Sequence, residues 1–219
     1  MRRVFVLLPV LAAALAPGCG ILSSHSDAPA PLVRGPIPAR TLQAIKLTYL
    51  FFRPRRAATQ PEGTTLLSLQ SAYANTYQNG HSATDDVVFD SEISHTSLSG
   101  RRGLGPGTGL EVEGHVTYAT DGRLDSLIED YHKMLGLPSE DREERPLNSY
   151  EMEAKHQGTL AYRLEGNEVG FGDVPVVLTH EFVEESPTAP TISGRVGFEL
   201  PTGSEAKGFG NGVVDYGGG

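Results

Sequence analysis

An all-β fold of antiparallel strands, interrupted by one helix, is what this sequence predicts, and three observations predict it. From Thr64 onward, apolar and polar residues alternate through segment after segment, the pattern of strands with one apolar and one polar face. Glycine supplies 26 of 219 residues, close to twice its usual share of ~7%, and it falls between and within those segments, as turns and closely packed strands require. The chain also opens with an export signal: cationic Met1-Arg2-Arg3, apolar Val4 to Ala16, then small Pro17-Gly18. The 13 residues of the apolar stretch would reach roughly 20 Å as a helix, short of a membrane core of about 30 Å. Residues 1–18 therefore read as a signal and not as an anchor.

Leu15-Ala16-Pro17-Gly18-Cys19 resembles the lipobox of bacterial lipoproteins, although Ala16 stands where Leu is usual and Pro17 is unusual. The resemblance implies lipid attachment at Cys19. Cys19 is the chain's one cysteine, so neither a disulfide framework nor a cysteine-based zinc site can form. Removing Arg2 and Arg3 with the signal takes the formal charge from −9 to −11. That balance argues against nucleic-acid binding, which rests on cations neutralising phosphates. Beyond Cys19 no apolar run approaches the ~18 residues of a membrane helix.

Residues 19–46 are expected to form a tether or linker, Pro-rich and polar at the start (Pro29, Pro31). Leu47 to Phe52 is a short apolar run, compatible with a strand or a plug-like segment, stopped by Arg53-Pro54-Arg55-Arg56. Strands are then predicted at Leu67–Tyr77, before Asn79-Gly80, and at Val87–Ser99, before a glycine-rich turn from Gly100 to Gly107. The clearest follows: Leu110, Val112, Gly114, Val116 and Tyr118 face one way, Glu111, Glu113, His115 and Thr117 the other. Arg123 to Leu135 breaks the pattern with Leu124, Leu127, Ile128, Tyr131 and Leu135 on one helical face, closed by Gly136 and Pro138. A charged loop and a hairpin about His156-Gln157-Gly158 come next. Further strands span Asp173–Glu184 and Thr191–Leu200, and another begins at Gly212–Tyr216.

About seven strands and the start of an eighth fit two architectures. A sandwich packs its apolar faces inward; an outer-membrane barrel turns them to lipid and lines its interior with the polar faces. Alternation does not separate the two, but export, acidic polar faces and strands of about 10 residues favour the barrel. Four stretches also resemble an uncharacterised bacterial family, the domain of unknown function 3187 family. They are Arg101-Arg102-Gly103-Leu104-Gly105 before its strand, the helix Leu124 to Pro138, Gly170-Phe171-Gly172-Asp173, and Leu200-Pro201-Thr202-Gly203 with Gly210-Asn211-Gly212 and Asp215. The resemblance implies an outer-membrane barrel-like fold and no reaction.

The expectation is thus an antiparallel up-and-down barrel of the outer-membrane type over residues 47–219, partial in strand number, with one amphipathic helix in a loop. Its interior candidates are Glu111, Glu113, His115, Arg195 and Glu199. Its expected partners are outer-membrane lipid and a small solute, in a pore, transport or structural role. The alternative is a lipid-tethered periplasmic β-sandwich that binds or assembles.

Catalytic chemistry is not indicated. Seven histidines are scattered singly with no ligand spacing, so no metal or other cofactor is expected. Asp125, Glu129, Asp130 and His132 read as the solvated face of the helix. The glycines at 103, 105, 107 and 109 lack a following Gly-Lys-Ser/Thr and read as a hairpin turn, and no serine sits in Gly-x-Ser-x-Gly.

Overall fold

The computed structural model describes residues 36, 39–138, 142 and 145–219. The signal, the lipobox with Cys19 and the first part of the tether lie outside them. The described strands are β1 (Thr65–His81), β2 (Asp85–Gly105), β3 (Thr108–Thr120), β4 (Glu151–His156), β5 (Thr159–Arg163), β6 (Glu168–Phe171), β7 (Val174–Val183), β8 (Ile192–Leu200) and β9 (Asp215–Gly218). One α-helix, α1 (Asp125–Leu135), joins β3 to β4. All nine strands belong to a single antiparallel sheet, curled into a half-barrel.

The sheet is largely a meander in which two long strands each serve two partners on one edge. Strand β2 pairs with β1 along one side; on the other it takes β3 from Glu92 and β4 from Asp85 to Asp90. Likewise β3 pairs with β7 at Thr108–Val112 and with β6 at Val116–Ala119. The register shifts by one residue between those ladders, so β6 and β7 are one strand broken by a bulge at Gly172-Asp173. The bulge takes Asp173 out of the alternation and buries it fully, where its carboxylate accepts the amides of Gly203 (2.7 Å) and Asn211 (3.1 Å).

The Gly170 to Asp173 stretch is therefore a strand end plus a bulge, and the strand expected from Asp173 begins at Val174. Gly100 to Gly107, expected as a turn, is mostly strand: β2 runs on to Gly105, and the reversal is confined to Pro106-Gly107. Those extra residues carry Arg101 into the sheet, opposite Glu111 on β3.

Register fixes which rows share a face. Leu69, Leu98, Val112, Val116, Val176, Leu178, Val196 and Phe198 fall on the convex face, where Leu69 is 72% exposed and Phe198 53%. On the concave face, Glu113 is 3% exposed, His115 5% and Glu199 2%. Apolar rows are thus exposed on one face and charged residues buried on the other. Apolar core is confined to one end of the concavity, where Phe89, Ile93, Ala119, Met152, Leu164 and Phe209 cluster with Ala44.

Helix α1 begins against the convex face at one end of the sheet. Glu92 accepts the Leu124 amide at 2.5 Å, and Asp125, buried and not solvated as the sequence suggested, accepts from Asn75 at 2.9 Å and also pairs with Arg142. Gly136, with φ of 65°, closes the helix in a Schellman turn, with Leu137 N–H on the His132 carbonyl at 2.9 Å. Its apolar residues Leu127, Tyr131, Met134 and Leu135 are left exposed.

The concavity is filled by the chain's own earlier residues. A 3₁₀ segment at Ala44–Thr48 joins the core, and the chain from Leu50 to Gln60 runs over the concave face. Residues 39–46, part of the stretch read as a tether, are packed here: Arg40 reaches β2 and β3. Strand glycines give this plug its seat. A Cβ on Gly103 would stand 2.3 Å from the Pro61 carbonyl oxygen, and one on Gly197 would stand 3.0 Å from the Phe52 ring. Replacing Gly103 by Val is expected to cost about 1–3 kcal/mol through overpacking and to speed tryptic cleavage after Arg55 and Arg56. Gly80→Val, with open space around it, serves as the control and is expected to leave both unchanged.

Candidate functional site on the concave face

Alternation sends every second residue of β2, β3 and β8 into the concavity, and in these strands many of those residues are charged or polar. Glu113 is the centre. One carboxylate oxygen accepts Arg40 Nη1 at 2.8 Å; the other pairs with Arg53. Both glutamate and Arg53 side chains are about 95% enclosed, so the pair is close to fully desolvated. Arg53 also donates to Gln70 Oε1 of β1 at 2.6 Å and to Ser97 Oγ of β2 at 3.3 Å. One register step along β3, Glu111 pairs with Arg55.

The plug arginines feel this crowding. Burial, helped by the charges of Arg40 and Arg55, pulls the Arg53 guanidinium down to about 10, still cationic at neutral pH. Burial also lowers Arg40. It lowers Arg55 too, where Arg101 and Arg195 push the same way and Glu111 opposes them.

The histidines take a neutral role. Arginine has donors only, so the 3.0 Å contact from Arg40 Nη1 makes His95 Nε2 an acceptor. The proton then sits on Nδ1, which donates to Thr117 Oγ1 at 3.1 Å. The His115 ring lies 4.9 Å from that of His95, centroid to centroid, and its Nδ1 is buried without a hydrogen-bond partner among the described residues.

Arg195 of β8 donates to the Arg53 carbonyl oxygen at 3.0 Å and lies 5.7 Å over the Phe52 ring. Glu199 is set apart. Asp215 lies directly across the ladder from it, and its Oε2 has no hydrogen-bond partner among the described residues. The structure thus brings all five sequence-predicted interior residues to one face. Glu111, Glu113 and Arg195 meet the plug, His115 lies beside His95, and Glu199 lies towards the acidic end.

Four residues of this site escaped sequence reading. Arg53 and Arg55 end an apolar run in the sequence, Arg40 falls in the expected tether and Arg101 in the expected turn. A basic run beside a plug-like segment, in a chain whose inward rows are rich in glutamate, was the available signal.

The family model for proteins of unknown function, DUF3187, matches residues 16–217, nearly the whole chain. The chain belongs to the DUF3187 family. Neither a curated protein nor a solved structure matches it. The four stretches that carry the DUF3187 resemblance take up separate places in the fold: β2's end, the α1 helix, the β6–β7 bulge and the loop held by Asp173.

Glu113→Gln leaves Arg40 and Arg53 enclosed without their counter-charge. Urea unfolding is expected to show a loss of about 3 kcal/mol or more. Glu111→Gln should cost less, since the side chains of Glu111 and Arg55 keep 17% and 14% of their exposure.

Proposed function

We propose that this chain is a barrel-like protein of the outer membrane whose convex face meets acyl chains and whose plugged, charged interior receives a small polar solute. The observation that supports it is the segregation of the sheet's two faces: exposed apolar rows outside, buried charged rows inside. A sandwich would press the apolar rows of two sheets together, whereas the described strands form one sheet with those rows bare. From Leu110 to Tyr118 the apolar row of β3 covers ~27 Å along the strand, or about 20 Å along a barrel axis at a tilt near 40°, close to the ~25 Å of an outer-membrane apolar band.

The edges of that band fit the same reading. Tyr73 and Tyr118 stand on one register row, either side of Ser94, as aromatics do at a membrane boundary. Beyond them the convex face turns polar, where Glu92 accepts the Leu124 amide ahead of α1 and Asp90 pairs with Arg142. Helix α1 itself, with Leu127, Tyr131, Met134 and Leu135 exposed, has the character of a helix lying in the interface. Among the described residues no helix is long and apolar enough to cross a membrane, so strands would do the crossing. Export by the N-terminal signal and a lipid on Cys19 belong to this reading.

Two measurements test it. The chain is expected to stay with membranes through alkaline carbonate; recovery in the soluble periplasm overturns the proposal. Val196→Arg, in the middle of the convex band, should lower folding stability in phospholipid vesicles by about 2–4 kcal/mol. A face bathed in water would tolerate the same change within about 0.5 kcal/mol.

A further inference from the structure

Beside the Glu113 cluster the plug and the wall form a second cleft, into which Arg55, Arg56, Arg101 and Arg195 bring guanidinium groups, with Glu111 as the one carboxylate of its lining. Four guanidinium groups against one carboxylate leave three positive charges in surplus, in a chain whose formal net charge is −9. Like charges gathered this way repel unless an anion joins them.

The partners on hand do not meet that surplus. Arg55 takes Glu111. Arg56 reaches only Glu185, at 3.6 Å and with both side chains exposed, a pair of little worth. Arg102 turns to the convex face instead, 3.4 Å from the Thr65 hydroxyl, and adds nothing to the cleft. Arg195 gives Nη1 to a backbone carbonyl. Arg101 Nε is buried and has no hydrogen-bond partner among the described residues. Arg101 sits directly across the ladder from Glu111, while the nearest acid on the plug's far side, Glu181, accepts the Thr59 amide.

We propose that this cleft binds a small phosphate-bearing anion, with Arg101 and Arg195 gripping it from the wall, Arg55 from the plug, and Arg56 at the mouth. The planar guanidinium fork matches phosphate oxygens two at a time. A surplus of three suits a multiply charged phosphate better than a lone carboxylate. The assignment rests on the lumen reading above in one respect, that it names the class of solute the interior takes. The phosphate can belong to a dissolved molecule or to a lipid headgroup at the rim.

The test uses the full chain refolded in non-ionic detergent, with pyrophosphate titrated by calorimetry. Wild type is expected to bind it, more weakly as salt rises. Arg101→Gln should weaken binding roughly tenfold or more, and Arg101→Lys, which keeps the charge but not the fork, should fall between. Arg56→Gln, at the exposed mouth, should weaken binding less while leaving the fold intact, and Arg102→Gln, on the convex face, should leave binding unchanged. Heat-modified electrophoretic mobility reports folding for each variant. A second arm replaces pyrophosphate with vesicles of phosphatidylcholine, with and without phosphatidic acid. Selective binding there, lost in Arg101→Gln, assigns the same site to a headgroup. Folded protein that binds neither probe, or binds equally well as Arg101→Gln, overturns the site and leaves the barrel reading standing. A chain that folds only without detergent and still binds pyrophosphate overturns the barrel reading and keeps the site.

Discussion

A carboxylate forced into the concavity of a sheet has to be matched by a cation or it unfolds what buries it. Glu113 is in that position because strand alternation leaves it no other face: with Val112 and Gly114 outward, residue 113 points in. Desolvating one such ion costs several kcal/mol, repaid only if its oxygens are paired. Both oxygens of Glu113 are paired, by arginines 73 and 60 residues earlier in the sequence. The path of the plug follows from this. Arg40 and Arg53 fix two points along it, Arg55 on Glu111 a third, and the strand glycines let its backbone lie close between them. Sheet and plug are one charge-matched unit.

Charge matching inside also accounts for the outside. Once the inward rows carry the charges, the outward rows of the same strands are left with the Leu, Val and Phe that a soluble domain would bury. The true apolar core, around Ile93 and Met152, occupies only one end of the concavity, beneath the 3₁₀ segment. Nothing in that core needs the convex rows. They stay exposed, and α1 interrupts them only at the end where the convex face becomes polar.

The faces of the sheet were legible in the sequence because a period of two is a local property. Glu111, Glu113, His115, Arg195 and Glu199 could be placed inward from their neighbours alone, and the helix could be read from its stripe and Gly136. What was not legible depended on distant contacts. Gly100 to Gly107 looked like a turn because glycine usually marks one, yet Gly103 is a glycine so that Pro61 can lie against it, and the strand continues through it. That misreading hid Arg101. Asp173 looked like the start of a strand because a bulge shifts register without changing composition. Asp125 looked solvated because the partners that bury it, Asn75 and Arg142, come from outside the helix. Arg40 looked like linker because nothing near it in sequence is apolar enough to hold it; Glu113 and His95 hold it instead.

The plug brings more charge than the wall asks of it. Arg40, Arg53, Arg55 and Arg56 face two inward glutamates, Glu111 and Glu113, and the wall then adds Arg101 and Arg195. Four residues along β8 from Arg195 the sign reverses: Glu199 lies directly across the ladder from Pro175 on β7 and from Asp215 on β9, near the buried Asp173. The interior is therefore polarised along the strand direction, cationic near the β2–β3 hairpin and anionic towards Asp173. In a low-dielectric enclosure such a gradient draws an anion to one end and opposes its movement to the other. For the solute proposed above, such a gradient argues for a binding chamber and against an open channel.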